Sequence, residues 1–241
     1  MTYERLAWDT EFFGFRVGRV LGTGTDAEFA DSLAAAEQDG AQCLYLLLAV
    51  NEVASMHRAI AHGFRPVDVR VSLDLHLEAS THGQPDGVRA ARLDDIHALE
   101  RLARQTFVGT RFSADRRFPS QRVSAMYAAW ARRGLLETPP HCALITVDGV
   151  SGFIVGRLDR ERHTASVELI AVRRERHGAG LGGALLDAAH FTFVNAGCTR
   201  AEVVTQARNR AALRLYEGRG YRIDEVGVWL HRWTVGRAAT R

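Results

Sequence analysis

The sequence contains no lysine, and all 31 of its basic side chains are arginine. A P-loop needs Gly-Lys followed by Ser or Thr, so this kind of nucleotide site is excluded. Cysteine is scarce as well, because Cys43, Cys142 and Cys198 are odd in number and widely separated. They predict free or buried thiols in a reducing compartment, with no disulfide framework and no thiolate metal site.

Long hydrophobic runs and a strong charge of either sign are also missing. The longest apolar run, residues 44–50, is far too short to span a bilayer, and no signal-peptide pattern opens the chain. The formal net charge of +3 is small and spread along the chain, which does not indicate nucleic-acid binding. We therefore expect a cytoplasmic protein with a small-molecule substrate and neither membrane nor nucleic-acid partners. A homodimer formed through the last strand stays open.

The most informative segment is a glycine-dense turn at residues 173–183. An alternating apolar run from Thr164 to Val172 predicts the strand before it, and helical spacing from about Gly180 to Asn195 predicts the helix after it. Glycine lets a ligand approach the backbone, and the first N–H groups of a helix lack partners and carry positive partial charge. The turn therefore predicts a phosphate site made of backbone amides. Its candidate residues are His177, Gly178, Ala179, Gly180, Leu181, Gly182 and Gly183.

Two other interpretations of these glycines stay open at this point. Gly178, Gly180 and Gly183 satisfy the dinucleotide pattern G-x-G-x-x-G, and Glu202 follows at about the distance of a ribose contact. Too few strand–helix units follow for a doubly wound fold, however, and Glu202 falls early in its predicted strand. The glycines could also form only a tight turn and a close contact between helix and sheet.

The order of elements after the turn is more specific than the glycines. A strand at residues 201–206 comes next, then Asn209-x-x-Ala-x-x-x-Tyr216-Glu-x-x-Gly220-Tyr221, and then a strand that ends at Trp233. Together with the strand, turn and helix before it, this set resembles the second half of a GCN5-related N-acetyltransferase (GNAT). The resemblance covers about residues 87–241 and is strongest over 164–221.

The resemblance implies an acetyl-CoA site. In this family the glycine turn binds the pyrophosphate through main-chain N–H groups, and the strand before it splays from its neighbour to pair with the pantetheine arm. By position, Ile170 and Val172 would contact the cofactor, and amides near Ile170 would hold the oxyanion. Asn209 is similar to the residue that helps to hold the pantetheine region. His177 departs from the family pattern, which usually has Arg or Gln at this position.

The resemblance also implies the catalytic groups. Tyr216 matches the family's general acid, which contacts the cofactor and donates a proton to the departing thiolate. Glu168 lies where several members keep a general base. Structural alternatives stay open, since Tyr216 could only pack in the core, Glu168 could only face solvent and Asn209 could only cap a helix. No cysteine lies in these segments, so we expect direct transfer, without an acyl-enzyme and without a metal.

The pattern along the chain is bipartite, and 241 residues allow one large or two small domains. A polar, turn-rich linker at 79–87 separates a domain at 1–78 from an acetyltransferase domain at 88–241. The first part echoes the end of the chain and resembles a reduced, degenerate half of the same fold, with no glycine cradle and with Ile60 near the tyrosine position. The predicted fold is α/β (α+β) with a mixed, centrally splayed sheet. Residues 142–147 and 152–158 predict a hairpin with a two-residue Asp148-Gly149 turn.

Two further segments narrow the resemblance. Residues 8–16 and 110–115, with Tyr127 and Trp130, are similar to a bipartite branch typified by dTDP-fucosamine acetyltransferases. That branch acetylates the amino group of a nucleotide-linked amino-dideoxy sugar, and its loop at 111–115 lies near the acceptor. An arginine can bind a diphosphate, and an aromatic ring offers a flat face to a base. The candidate acceptor contacts are Arg111, Phe112, Asp115 and Gln206.

The expected function is therefore acetyl-CoA-dependent transfer of an acetyl group to a primary amine, that of a dTDP-type amino-dideoxy sugar. Three alternatives stay open. The acceptor could be another small amine, such as an antibiotic, a peptide N-terminus or a polyamine. The chain could be a non-catalytic CoA-binding sensor, or an NAD-dependent oxidoreductase.

Overall fold

The structure, a computed structural model, describes residues 1–78, 85–137, 139 and 141–234. The strands are β1 (Thr2–Arg5), β2 (Val17–Leu21), β3 (Cys43–Ala49), β4 (Arg65–His76), β5 (Val88–Ala90), β6 (His141–Thr146), β7 (Gly152–Asp159), β8 (Thr164–Val172), β9 (Arg200–Gln206) and β10 (Arg222–Trp233). The helices are α1 (Ala7–Phe13), α2 (Asp26–Gln38), α3 (Val53–Ala61), α4 (Ile96–Thr106), α5 (Arg111–Ala114), α6 (Ser120–Leu136), α7 (Leu181–Asn195) and α8 (Arg210–Glu217). The described strands form one mixed sheet in the order β1-β2-β3-β10-β4-β9-β8-β7-β6-β5.

Helices cover both faces of this sheet. On the first face, α1, α4, α5 and α6 pack against apolar side chains of β2, β3, β6, β7 and β8. On the second face, α7 and α8 cover the part of the sheet that contains β8 and β9. The helices α2 and α3 cover the part that contains β2 and β3. Neighbouring residues alternate between the faces, so Ile145 joins the first core and Leu144 the second. Burying one large ring such as Phe153 or Phe193 contributes about 2–3 kcal/mol to folding.

One local expectation from the sequence is wrong. The turn between β6 and β7 is a five-residue loop, residues 147–151, rather than a two-residue Asp-Gly turn. Gly149 and Val150 both have positive φ, and Asp148 Oδ1 accepts a hydrogen bond from the Ser151 amide, which stabilises the longer loop. The aromatic segment near the N-terminus forms the helix α1, and Gly14 ends it in a left-handed conformation.

The most unexpected feature is a reciprocal exchange of two long strands. β10 lies between β3 and β4, and β4 lies between β10 and β9, with all three pairings antiparallel. Ala49 pairs with Gly227 and Gln206 pairs with Arg70, so along these strands each residue of the first half matches the residue 157 positions later. The last strand of each half is thus hydrogen-bonded to the other half. The division into domains at 79–87 remains a prediction, and residues 79–84 of that linker lie outside the described residues.

The same offset relates the helix–turn segments before the exchanged strands. Gly63 and Gly220 occupy matching turns with φ of 85° and 88°, a region that glycine adopts without strain. In each turn the following aromatic residue donates its amide to the carbonyl five residues earlier. Ala59 therefore corresponds to Tyr216, and Ile60 is the residue next to that position.

Candidate active site

β8 and β9 separate part-way along their length. They pair in parallel from Thr164 opposite Arg200 to Val167 opposite Val203, and the pairing ends there. β8 continues to Val172 while it stays paired with β7 on its other side. The last five residues of β8, including Ile170, therefore line an opening between β8 and β9. Backbone groups at such an edge can pair with an extended ligand.

The glycine turn closes the end of this opening with unpaired amides. Among the described residues, the backbone N–H groups of Gly178, Gly180, Leu181, Gly182 and Gly183 have no acceptor, and the first N–H bonded within the helix is that of Ala184. Gly178 and Gly180 have φ of 82° and 78°, which turns the chain sharply into α7. Residues 173–180 are exposed, Leu181 and Gly182 are half-buried and Gly183 is buried. These N–H groups at a helix N-terminus form an anion cradle.

Side chains around the cradle hold its shape. His177 lies beside the strand end, with Nε2 2.9 Å from the Val172 carbonyl oxygen, so it ties the turn back to β8. Arg176 pairs with Asp148 at 2.7 Å. Backbone amides do not depend on the side chain at position 177, so a histidine there leaves these donors in place. Arg173 and Arg174 are exposed beside the cradle.

Tyr216 lies at the end of α8, in the core of the second face. The residue is 3% exposed, and its ring lies 5.6 Å from that of Tyr221. Within the described part of the chain, its hydroxyl has no hydrogen-bond partner. Burial raises the pKa of Tyr216 well above its ordinary value, so the phenol keeps its proton at neutral pH. A protonated hydroxyl without a partner can donate to a ligand that enters the core.

Asn209 stands at the start of α8. Its side-chain oxygen accepts a hydrogen bond from the Ala212 amide at 3.2 Å, which makes it the N-cap of the helix. The amide NH2 group of Asn209 is not used in this contact. Helix capping, the structural alternative, is therefore present, and it leaves one donor group for a ligand.

Glu168 is the extra residue of a β-bulge in β8. Val167 lies opposite Gly156 and Leu169 lies opposite Val155, so Glu168 has no cross-strand partner. A side chain at Gly156 would meet the ring of Phe193 at 2.6 Å, so the paired strand has no room for one. The bulge turns a carboxylate out of an otherwise apolar strand.

His141, a residue that the sequence analysis did not single out, lies against this carboxylate. Its Nε2 is 3.3 Å from Glu168 Oε2, and its Nδ1 is 3.0 Å from the Glu137 carbonyl oxygen. Both ring nitrogens face oxygen acceptors, so one proton lies between His141 and Glu168 when both contacts are hydrogen bonds. The sequence does not predict that His141 contacts Glu168, because the two residues are on strands separated by β7.

The residues expected near the acceptor lie mostly in a buried cluster on the first face. Phe112 is buried, and Asp115 accepts hydrogen bonds from His231 Nδ1 at 2.9 Å and Trp233 Nε1 at 2.7 Å. Arg111 packs among aromatic rings beside them. Gln206 is half-buried at the end of β9, away from this cluster along the sheet. His231, at the centre of the cluster, was missed by sequence reasoning.

Residues 96–221 match the model of the acetyltransferase (GNAT) family. The chain belongs to this family. It is 28% identical over 229 residues to a dTDP-fucosamine acetyltransferase of Escherichia coli O6:H1, which is 95% of this chain and 97% of the relative. A solved GCN5-related N-acetyltransferase from Sphaerobacter thermophilus superposes with a TM-score of 0.66 at 17% identity, covering 96% of this chain and 76% of that one. A second, from Kribbella flavida, has a TM-score of 0.58 at 18% identity, covering 92% and 82%.

The family and the fold expected from the sequence are thus confirmed, and the protein is a GNAT acetyltransferase. Enzymes of this family use acetyl-CoA. The open cradle and the splayed strands fit a diphosphate followed by an extended arm. The doubly wound alternative is wrong, because β10 is antiparallel to both of its neighbours. Within the residues that the structure describes, no three His, Cys, Asp or Glu side chains are grouped to hold a metal ion. None of the described helices combines the length and hydropathy of a membrane span.

Proposed function

We propose that this enzyme transfers the acetyl group of acetyl-CoA directly to the amine of a nucleotide-linked amino-dideoxy sugar. The observation that carries the proposal is the open amide cradle at the end of a strand splayed from its neighbour. The acceptor class is supported by similarity along almost the whole chain to a relative named for such a sugar. It is also supported by the cationic and aromatic cluster around Arg111.

Residues of this chain can assist each step of the transfer. When bound, acetyl-CoA supplies the thioester carbon that the amine nitrogen attacks. The new C–N bond forms first, amides near Ile170 stabilise the negative oxygen that results, and the C–S bond then breaks. Tyr216 gives its proton to the departing sulfur. The attacking amine must also lose a proton, and Glu168, with His141 behind it, accepts that proton.

The role of Glu168 can be tested by Glu168→Gln. We expect this change to lower kcat by about a hundredfold near neutral pH, because the amine then loses its proton only to water. Raising the pH should restore much of the rate, since the amine deprotonates unaided. Glu202→Gln, on the next strand and paired at the surface with Arg200, is the matched control and should leave kcat unchanged. If E168Q keeps full activity near neutral pH, Glu168 is not the base.

The acceptor is tested by thiol release from acetyl-CoA with a panel of amines. The panel holds a dTDP-linked amino-dideoxy sugar, the same amino sugar without nucleotide, an aminoglycoside, a peptide with a free N-terminus and a polyamine. We expect the highest kcat/KM with the nucleotide sugar, and a product heavier by one acetyl group. A polyamine or peptide as the best substrate would contradict the acceptor class. CoA binding without thiol release for every amine would indicate a sensor.

A further inference from the structure

Arg111 occupies a box of three aromatic rings on the first face of the sheet. Its guanidinium carbon lies 4.2 Å from the ring centre of Tyr45, 4.1 Å from that of Phe112 and 4.2 Å from that of Trp229. Tyr45 comes from β3, Phe112 from α5 and Trp229 from β10, so the box joins both halves of the chain. Stacking on aromatic faces holds a guanidinium by cation–π attraction and leaves only its edge for hydrogen bonds.

None of the carboxylates that the structure describes forms an ion pair with this cation. Among the described residues, no Asp or Glu oxygen lies within 4.0 Å of the Arg111 nitrogens. Asp9 attracts it from farther away, while Asp9 itself accepts a hydrogen bond from the Tyr45 hydroxyl at 3.4 Å, and burial raises the pKa of Asp9. Burial lowers the pKa of Arg111, but an arginine stays charged at neutral pH. A half-buried charge without an ion pair costs free energy, and binding of an anion would offset that cost.

One hydrogen bond fixes the orientation of the guanidinium. Arg111 Nη1 lies 3.1 Å from His231 Nε2, and arginine has only donors, so this ring nitrogen accepts. His231 Nδ1 therefore carries the ring proton and donates to Asp115 Oδ2 at 2.9 Å. His231 is thus neutral, in one defined tautomer. Burial lowers the pKa of His231, in keeping with the neutral form.

Asp115 is held just as firmly. It also accepts from Trp233 Nε1 at 2.7 Å and from the Arg117 amide at 3.2 Å. Burial acts to raise the pKa of Asp115, but the hydrogen bonds from His231 and Trp233 outweigh it, so the pKa is lowered and the carboxylate stays charged. Asp115, His231 and Arg111 therefore form a fixed chain of hydrogen bonds that ends on the cation.

The free edge of Arg111 reaches accessible surface. Its bond to His231 uses Nη1, and its Nε and Nη2 have no partner among the described residues. Neither atom is fully buried, and the Arg111 residue as a whole is half-buried. Two parallel N–H groups on this edge match the oxygens of a phosphate or carboxylate.

We propose that Asp115 and His231 are positioning residues that hold Arg111 ready for an anionic group of the acceptor, so that the enzyme selects amines carrying a phosphate. This inference rests on the proposed function and names the residues that select its acceptor. The aromatic walls exclude water and strengthen the ion contact, and the fixed tautomer of His231 removes the orientational freedom that would weaken it. A structural arginine would instead have its donors filled by the protein.

The test compares His231→Phe with His231→Gln on two acceptors, a dTDP-linked amino-dideoxy sugar and the methyl glycoside of the same amino sugar. A glutamine amide can accept from Arg111 and donate to Asp115, whereas phenylalanine can do neither. We expect H231F to raise KM for the nucleotide sugar by about ten- to a hundredfold, the effect of a lost charge-assisted hydrogen bond. KM for the neutral glycoside, KM for acetyl-CoA and kcat should stay within about twofold, and H231Q should recover KM for the nucleotide sugar to within about threefold. His57→Phe, an exposed histidine on α3, is the control.

The outcomes distinguish a failure of the proposed function from a failure of the role given to Arg111. If wild-type enzyme acetylates neither sugar, the proposed function is wrong. If it acetylates both with similar KM, or if H231F raises both KM values alike, the function holds and the anion-selecting role of Arg111 is wrong. Nitrogen-15 NMR of the wild-type enzyme tests the hydrogen-bond chain even if H231F does not fold. A neutral His231 with its proton on Nδ1 at pH 7 is expected, and an imidazolium would overturn the inference.

Discussion

The two halves of this chain share a backbone arrangement, yet the helix after the first parallel strand begins with a capping box in one half and with unpaired amides in the other. In the first half β2 pairs in parallel with β3 over four residue pairs, and in the second half β8 pairs in parallel with β9 over four. A helix follows the first strand of each pair, α2 in one case and α7 in the other. β2 ends one residue after its last pair, at Leu21, whereas β8 runs five residues farther and creates the splay.

The helix N-termini differ in the same way. Thr25 caps α2, its hydroxyl accepts from the Glu28 amide, and Glu28 accepts from the Thr25 amide in a reciprocal capping box. The matching cap of α7 is Gly180, which has no side chain to offer. In a capped helix the capping side chains accept hydrogen bonds from the first N–H groups, whereas in an uncapped helix these N–H groups can donate to a ligand. A few extra strand residues and a missing side-chain cap thus leave amides of the second half free for the anion that we propose.

The largest effect is expected when a carboxylate is placed among the free amides at the start of α7, because this removes the difference between the two helix N-termini. Gly182 is the second residue of α7, and a side chain there meets Leu215 only at an ordinary contact distance of 3.4 Å. Gly182→Glu should keep the fold, because an acid in the first turn of a helix is favourable. It should weaken acetyl-CoA binding by about a hundredfold or more, because the new charge repels the diphosphate. Titration calorimetry measures the Kd.

Ala27→Glu is the matched control for that experiment. Ala27 has the same position in α2, behind the Thr25 cap. It should leave acetyl-CoA affinity unchanged. Equal losses in both variants, or none in either, would show that the α7 cradle does not bind the cofactor.

The second difference between the halves is the tyrosine at the end of α8, where α3 has Ala59. Tyr216→Phe should lower kcat by about tenfold to a thousandfold, because the departing thiolate then receives no proton from the enzyme. Acetyl-CoA affinity should not change, because the ring still fills the core. Steady-state rates and calorimetry check the two parts. Unchanged turnover in Y216F would remove Tyr216 from the mechanism.

The contrast between the halves was only partly predictable from the sequence. The glycine turn and the bounds of α2, α7 and β9 follow local patterns, since glycine, capping residues and apolar spacing act over a few residues. The exchange of β4 and β10 does not, because either strand could pair with its own half and the choice depends on contacts far apart in sequence. His141 beside Glu168 and His231 beside Arg111 were missed for the same reason, since tertiary packing alone brings them together.

A third prediction concerns the acid sensitivity of the second half. Tyr221 bonds His190 Nε2 at 2.9 Å, whereas its counterpart Phe64 packs on Phe29. Burial lowers the pKa of His190 to about 4, below its unfolded value of 6.5. Between these values the unfolded chain binds more protons, so stability should fall as the pH drops from 6.5 to 4, by about 3 kcal/mol at most.

Replacing the pair as His190→Phe with Tyr221→Phe imitates the first half and avoids an unpaired buried hydroxyl. Urea unfolding of this double variant should show a flatter dependence on pH between 6.5 and 4 than the wild type. An identical slope in both proteins would mean that His190 is not the group responsible.

The smallest expected effect is at the start of the last helix in each half. Asn209 caps α8 with its side chain, whereas Glu52 makes no such bond to α3. Asn209→Ala should destabilise the protein by about 1 kcal/mol, and Glu52→Ala should have little effect. Urea unfolding checks both variants. If N209A lowers stability no more than E52A, the cap is not significant, and a separate loss of acetyl-CoA affinity would assign the Asn209 NH2 group to the cofactor.

The most direct measurement of the central difference is a calorimetric titration of the wild-type enzyme with acetyl-CoA and with S-acetylpantetheine, which lacks the diphosphate. The exposed amides ahead of α7 predict that acetyl-CoA binds at least about a hundredfold more tightly, and that G182E removes most of this advantage. Equal affinity for the two ligands in the wild-type enzyme would contradict the account.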